Sequence, residues 1–306
     1  NTHRPNSFSF SQSTNNRTKF EYTPAFLYNK KGYETSFIYG GDLSWRDIGS
    51  FVKAQDYDNV EGKINIYNTV KKENDDNIDY FHPWGIYDEF LFEHVEQKLL
   101  TSETPQFIFA LTTNNHPPYN VPRQYSEKEL TFSDELKKYL NGDMKLIEQR
   151  MYSYQYAIDQ VGLFLNKIKN SKLKDNTIVV VTADNNTLDG IMSYPNNKIF
   201  NSKNIPCLFF IPNEIKKKIP YLDTTIYASH KDIFPTLYNL TLNNTSYYAI
   251  GNDLFTKNSQ FTGFNGSQIV VAKEGVYTNV DQNNEIFEYY KATLVVQEYL
   301  LKKYMK

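Results

Sequence analysis

The chain has 306 residues, 40% of them hydrophobic, and its 33 Lys and Arg nearly balance its 35 Asp and Glu. That length supports one large core, or a large one with a small appendage. The charge balance leaves no basic field or Lys/Arg-rich patch to draw in nucleic acid or a membrane surface. The single cysteine, Cys207, excludes a disulfide within these residues and, inside the apolar run 206–211, is expected as a buried small hydrophobe. No apolar stretch approaches the roughly 18 residues of a membrane span, and no basic-then-apolar leader opens the chain. Because the sequence begins at Asn1 rather than Met, it is expected to be a processed or partial form whose membrane anchor lay upstream.

Residues 1–19 are rich in Asn, Ser and Thr, lack periodicity, and read as an irregular lead-in. Thr23 suits an N-cap, Pro24 the first helical position and Gly32 the C′ position, which predicts a helix of about eight residues. A strand at 35–39 follows and ends in Gly40 and Gly41. Residues 88–100 place Phe90, Leu91, His94, Val95, Lys98 and Leu99 on a mixed helical face. The next strand, 106–111, lies between Pro105 and the loop 112–118. Tyr154, Ile158, Val161, Leu165 and Ile168 recur at spacings of three and four, predicting a helix over 152–169. The β-branched run 177–181 reads as a central parallel strand covered on both faces. An apolar run from Cys207 closes at Pro212, and a helix over 229–240 opens with a capping-box-like Ser229 and Asp232, with Pro235 in its first turn. After Gly251, short strands are expected at 268–272, 275–278 and 286–289, then a terminal helix at 291–304. The alternation predicts an α/β fold, with a mostly parallel central sheet flanked by helices and a small C-terminal antiparallel sheet with its terminal helix. The expected boundaries are 1–19 for the lead-in, 20–250 for the α/β domain and 251–306 for the appendage.

In open α/β sheets, functional groups collect in loops beyond the carboxyl ends of the strands. Here these are 40–47, 112–119 and 184–187, with the helix start at 229–230 as a fourth element. Asp184 follows its strand at once, where an unpaired carboxylate is costly unless a cation or donor meets it. With the carbonyl oxygen of Asn185 it makes an all-oxygen pair suited to a hard cation such as Ca²⁺ or Mg²⁺. The same two residues also suit an ordinary Asx turn. His116 is held between Asn115 and two prolines that fix φ; it can meet an anionic ester oxygen or simply face solvent. His230, at a helix start, can share an anion there or be a surface residue of a capped turn. Trp45 and Arg46 can clamp a headgroup by ring face and charge-assisted fork, or merely pack. His82, without an acidic or histidine neighbour at ligand spacing, reads as structural.

The segments KGYETSFIYGGD (31–42), WGIYDEFLF (84–92), NHPPY (115–119), ADN (183–185) and SHKDIFPTL (229–237) occur in an order that resembles the sulfatase-like branch of the alkaline phosphatase superfamily. Within it they look similar to lipoteichoic acid synthase-type phosphoglycerol transferases and phosphoethanolamine transferases. The resemblance covers about residues 20–255. It implies a central sheet with an active site at its strand ends, and a threonine, or formylglycine in true sulfatases, that attacks phosphorus or sulfur with help from a divalent cation. By position, Asp184 and Asn185 match paired metal ligands, His116 a headgroup-contacting histidine and His230 a histidine beside the site. Such transferases are membrane-anchored, with the catalytic domain on the extracytoplasmic face of the bacterial cytoplasmic membrane.

Two features depart from the pattern. Transferases of the branch generally carry Asp-His where this chain has Asp184-Asn185, whereas arylsulfatases carry Asp-Asn and use calcium, so Mn, Mg, Ca and Zn all stay open. The family's nucleophile and first acidic ligand lie further before residues 31–33 than this chain extends, and are expected upstream of Asn1. Thr2, Ser11, Thr14 and Thr18 lack the matching surroundings. The implied function is transfer of phosphoglycerol or phosphoethanolamine from a phospholipid donor to a cell-envelope glycan, with no turnover by these 306 residues alone. A sulfatase or phosphodiesterase hydrolase and a catalytically degenerate binding domain are the alternatives.

Overall fold

The computed structural model describes residues 16–73, 76–186, 191–257, 261–265, 269–278 and 283–303. In chain order its first half contains α1 (Pro24–Asn29), β1 (Glu34–Tyr39), α2 (Ile48–Lys53), β2 (Asn59–Glu61), α3 (Lys63–Val70), β3 (Phe81–His82), β4 (Gly85–Ile86), α4 (Asp88–Thr101), β5 (Gln106–Leu111), α5 (Asp134–Lys137) and α6 (Met144–Lys169). There follow β6 (Val179–Thr182), α7 (Ile199–Lys203), β7 (Cys207–Phe210), α8 (Asn213–Lys216), α9 (Ile233–Thr241), β8 (Thr262–Phe264), β9 (Val270–Ala272), β10 (Gly275–Tyr277) and α10 (Glu285–Lys302). These elements form two compact units, one of residues 34–49 and 57–212, the other of the segments up to residue 33, 50–56 and from 213 onward.

In the first unit, β1 pairs in parallel with β2 on one side and β5 on the other. Flanked on both sides, it is buried from Thr35 to Tyr39. Its buried Thr35 is fully partnered. Thr35 gives its amide and its hydroxyl to Asp58 Oδ2 at 2.8 and 3.0 Å and accepts the Asp58 amide at 3.1 Å, which fixes the strand against the entry to β2. Ile38 joins Ile66, Ile86, Leu91, Tyr156 and Ile168 in the core, with α4 laid across the sheet and against α6. Glu61 ends β2 and bridges to α4 through His94 Nε2 at 2.6 Å and Lys98 Nζ at 2.9 Å. Burial alone would raise the Glu61 carboxyl, but these two bonds bring it down to about 2.

The expected elements are present with several differences. Helix α6 begins two turns before the three-and-four pattern, because the Asp143 side chain caps the Leu146 amide and Ile147 and Arg150 extend the buried face. The run at 177–181 is not a central parallel strand. As β6 it pairs antiparallel with β7, and its side chains are half-buried. A short apolar run satisfies either strand direction, so its composition cannot select between them. Cys207 is likewise not buried: it and Leu208, 56% exposed, are the two exposed residues of β7.

In the second unit, Thr23 caps α1 as expected, its hydroxyl accepting the Phe26 amide at 3.2 Å. Strands β8, β9 and β10 form the small antiparallel sheet. Residues 286–289 are not a strand. Asn284 caps the Ile286 amide, so the terminal helix starts at Glu285 and turns Phe287 and Tyr290 inward onto Val270. The Ser229 start is a short 3-10 turn over His230–Asp232 before α9, with Asp232 reaching back to the Ser229 amide at 3.0 Å. Lys231 and Asp232 form a fully buried pair at 2.7 Å, and Asp232 also takes the Asn252 amide.

One contact in the first unit fixes the hairpin β3–β4 against the exit of β1. The Ile86 amide donates to the Gly40 carbonyl at 2.8 Å, and Gly41 bridges Gly85. A Cβ on Gly85 would lie 2.1 Å from the Gly40 carbonyl oxygen, with nothing but backbone to give way. Gly85→Ala is therefore expected to lower unfolding free energy by at least about 2 kcal/mol in urea titrations. Gly162→Ala, in α6 with nothing near its would-be Cβ, is expected to raise it by about 0.5–1 kcal/mol. Equal effects at the two positions would contradict the packing described.

Candidate functional site

Three segments of the first unit meet where β1 and β5 end: the loop 40–47, the hairpin 81–86 and the loop 112–119. Gly40 donates its amide to Leu111 at the end of β5, and its carbonyl takes Ile86, so both loops leave from one backbone junction. Lys63, opening α3, donates its amide to the Gly41 carbonyl.

On the first loop, Asp42 accepts the Ser44 hydroxyl at 2.7 Å and the Ser44 amide at 2.9 Å, with Lys63 Nζ at 3.3 Å. Those bonds, Ser44 first, hold its carboxyl down at about 2. The tight turn presents Trp45 and Arg46, with Arg46 and Asp47 both in the left-handed region at φ of 50° and 55°. The Arg46 guanidinium lies 4.7 Å from the centre of the Trp45 ring, and both residues are exposed, Trp45 by 40%. A guanidinium over an indole ring is attracted by the ring's π face, and its planar fork of donors suits an anion.

On the second loop, Asp88 is the anchor. Only 2% exposed, it accepts the amides of Thr113 and Asn114 at 3.3 Å each and returns its own amide to Asn114 Oδ1 at 2.9 Å. Burial pushes its carboxyl up to about 7, against the two amides that lower it. Beyond it, Asn115 adopts φ of 61° and donates its amide to Ser153 Oγ, and a turn closes with the Tyr119 amide on the His116 carbonyl at 2.8 Å. The peptide between Pro117 and Pro118 is cis, and Tyr119, at φ of 63°, lies under the buried Arg150 guanidinium at 4.9 Å. Four of the seven non-glycine residues with positive φ among the described residues thus lie on these two loops, the kind of backbone cost that accumulates where side chains are presented for use.

His116 is exposed at the tip of that turn, its ring 4.0 Å from the Trp84 ring, centre to centre. Asp184 and Asn185 are exposed directly after β6. Their side-chain oxygens fit a hard cation in kind but fall short of the six or more ligands such ions take. Among the described residues no group of three or more His, Cys, Asp or Glu is arranged to hold a metal. His230 belongs to the second unit, half-buried in its 3-10 turn. Trp45 and Arg46 are thus joined to each other, and His116 to Trp84, while Asp184 and Asn185 stand in the separate loop after β6. Sequence reasoning passed over Trp84, Asp88 and Thr113. The first two sit in the segment 84–92 that carries the family resemblance, which was the available signal, but what they do depends on a loop 33 residues from Trp84 and 25 from Asp88, beyond the reach of local pattern.

The family model described as Sulfatase matches residues 2–243. Lipoteichoic acid synthase 1 of Bacillus subtilis (strain 168) is 25% identical over 283 residues, 88% of this chain and 40% of that protein. Phosphoglycerol transferase I of Escherichia coli (strain 55989 / EAEC) is 23% identical over 162 residues, 52% of this chain and 19% of that protein. The chain therefore spans less than half the length of these relatives. Among solved structures, an alkaline phosphatase superfamily protein from Vibrio parahaemolyticus has a TM-score of 0.69 at 20% identity, covering 98% of this chain and 72% of that one. The lipoteichoic acid synthase LtaP from Listeria monocytogenes has a TM-score of 0.68 at 15% identity, covering 97% and 77%. At these identities the two structures speak for the fold, which is that of the alkaline phosphatase superfamily.

The raised carboxyl of Asp88 gives a stability test. Its folded pKa of about 7 lies above the unfolded value of about 3.9. Its contribution is thus complete below about pH 4 and is lost as pH rises through about 7. Between pH 5 and 7 the unfolding free energy of the native chain should fall relative to that of Asp88→Asn, by up to about 1.4 kcal/mol per pH unit. Parallel pH profiles for the two proteins would show that Asp88 is ionised in the fold.

Proposed function

Given that this chain belongs to the sulfatase family, as the match over residues 2–243 establishes, we propose that it is the extracytoplasmic domain of a transferase that moves a phosphoglycerol or phosphoethanolamine group from a phospholipid to a cell-envelope glycan. The observation that carries this reading is the exposed Trp45–Arg46 stack, presented with the His116 loop from one backbone junction. It offers a planar cation and an imidazole to a phosphodiester. The relatives named above, one a synthase of lipoteichoic acid and the other a phosphoglycerol transferase, support transfer over hydrolysis.

In this reading the Arg46 fork takes two non-bridging oxygens of the headgroup phosphate, and the Trp45 face keeps the guanidinium oriented. His116 donates a hydrogen bond to an oxygen that gains charge as the ester bond breaks. Asp184 and Asn185 would contribute to holding a divalent cation, Mn, Mg, Ca or Zn. Such an ion, when bound, supplies charge neutralisation at the ester oxygens. His230 is proposed as an anion contact on the family likeness alone. Thr113 is not proposed as the nucleophile, because its hydroxyl is buried and engaged with His82 and Ile86. The family domain is taken as about residues 20–250, with 1–19 as lead-in and 251–306 as appendage, and the enzyme as held at the outer face of the cytoplasmic membrane by a segment outside these residues.

A hydrolase of sulfate or phosphate esters is the second reading, favoured by one feature, the Asp184-Asn185 pair in place of Asp-His. The intact gene product, given phosphatidylglycerol, phosphatidylethanolamine or an aryl sulfate, separates the two. Diacylglycerol release from the phospholipids only, abolished by chelation and restored by a divalent ion, is expected with the headgroup phosphate recovered on an added glycan acceptor; its recovery as free glycerol phosphate or ethanolamine phosphate would favour the hydrolase. Arg46→Ala should lower that release about 100-fold and Arg46→Lys by less, since lysine keeps the charge but not the fork. Sulfate release without diacylglycerol would replace the transferase reading with the hydrolase one.

A further inference from the structure

Trp84 is 37% exposed, and the core does not account for it. Its indole Nε1 donates to the Pro117 carbonyl at 2.6 Å, and its ring lies against His116 at 4.0 Å with the planes inclined by 53°. The large aromatic therefore directs both its one donor and a ring face at a single turn, the one that carries His116. We propose that Trp84 is a positioning residue, fixing the orientation in which His116 is offered to the phosphate ester; this rests on the headgroup role given to His116 above.

A histidine at the tip of an exposed turn otherwise samples several rotamers, and ordering it on binding opposes affinity. The Trp84 ring removes that freedom on one side. The Pro117 carbonyl also lies 3.3 Å from His116 Nδ1 and can only accept, so in this geometry Nδ1 carries a proton and Nε2 is the atom left for a ligand, donating to an ester oxygen when the ring is the doubly protonated imidazolium. One carbonyl thus receives both the indole and the imidazole, and the two rings are registered against each other through it.

For Trp84 to position anything, it must itself be held. Its own amide points at His82 Nδ1 at 3.4 Å, and His82 Nε2 lies 3.0 Å from Thr113 Oγ1, which reaches the Ile86 carbonyl at 3.3 Å. These groups admit one consistent set of proton positions. An amide can only donate, so Nδ1 accepts; Nε2 then donates to the threonine, whose proton goes to the Ile86 carbonyl. Burial keeps His82 in this neutral form, with its pKa lowered to about 4. The chain of bonds runs from the hairpin into the start of the 112–119 loop. On its other side, Trp84 is followed by Gly85, already pinned on the Gly40 carbonyl. Hairpin and loop thus move as one body, and Trp84 carries that rigidity out to His116.

The test uses the intact protein with Trp84→Ala and Trp84→Phe, reading the imidazole carbon-bound proton resonances of His116, assigned by their loss in His116→Gln. The indole ring current should displace these resonances in the native protein. Trp84→Ala should abolish the displacement, and Trp84→Phe, which keeps a ring but loses the bond to Pro117, should move it partway. Phospholipid turnover should fall about tenfold in Trp84→Ala, and by less than about twofold when the same change is made in His116→Gln, because the two act through one group. Resonances unchanged in Trp84→Phe and in Trp84→Ala, or in Trp84→Phe alone if the alanine variant does not fold, would overturn the proposal. Native turnover in His116→Gln would instead overturn the headgroup role of His116, and the resonances would still decide whether Trp84 orders it.

Discussion

At the carboxyl end of β1 the Gly40 carbonyl accepts the Ile86 amide so closely that residue 85 has no room for a side chain. Everything proposed about the site in this unit depends on that approach. The Gly40 amide is committed to the end of β5 and its carbonyl to the hairpin, so one residue ties together the origins of three segments. The loops are polar and exposed, and their own contacts would not hold them. Their rigidity is borrowed from the parallel sheet, whose central strand is buried along its length and clamped in place by Thr35 and Asp58.

Charge is distributed around this junction according to exposure. Asp42 and Arg46 face water, the first satisfied by Ser44 and Lys63, the second set over the Trp45 ring. Asp88, out of water, is held near neutrality by burial and serves as a two-amide acceptor for the loop. His82, half-buried, is kept neutral by the same loss of solvent, which makes it a fixed link. An anionic diester approaching this face would meet Arg46 and His116, with the Asp42 carboxylate on the same loop offset by Lys63, while the buried Asp88 carries reduced charge to repel it.

Much of this frame was legible in the sequence because it rests on local rules. Thr23 as a cap, the strand between Pro105 and Thr112, and the helix through Ile158 and Leu165 all follow from turn chemistry and periodicity. What failed did so where partners decide. The run at Val179 suits a parallel or an antiparallel strand, and Cys207 is exposed because of what β7 does and does not pair with. Residues 286–289 carry β-prone side chains, yet the Asn284 cap and the inward face of Phe287 and Tyr290 make them helix. The site divides likewise. Trp45, Arg46 and His116 stand out as unusual residues after strands, whereas Trp84 and Asp88 acquire meaning only through bonds to a loop distant in sequence.

The central claim is that the exits of β1 and β5 form a binding face for a phosphorylated headgroup. The chain has two tryptophans, Trp45 and Trp84, and both belong to this face. Titrating glycerol phosphate into protein labelled with ¹⁵N at the indole nitrogens, with a divalent ion present, reads it directly. Saturable movement of both indole resonances at one common Kd, weakened in Arg46→Ala, is the expected result. Saturable binding that leaves both indoles unmoved would place the headgroup elsewhere and contradict the claim.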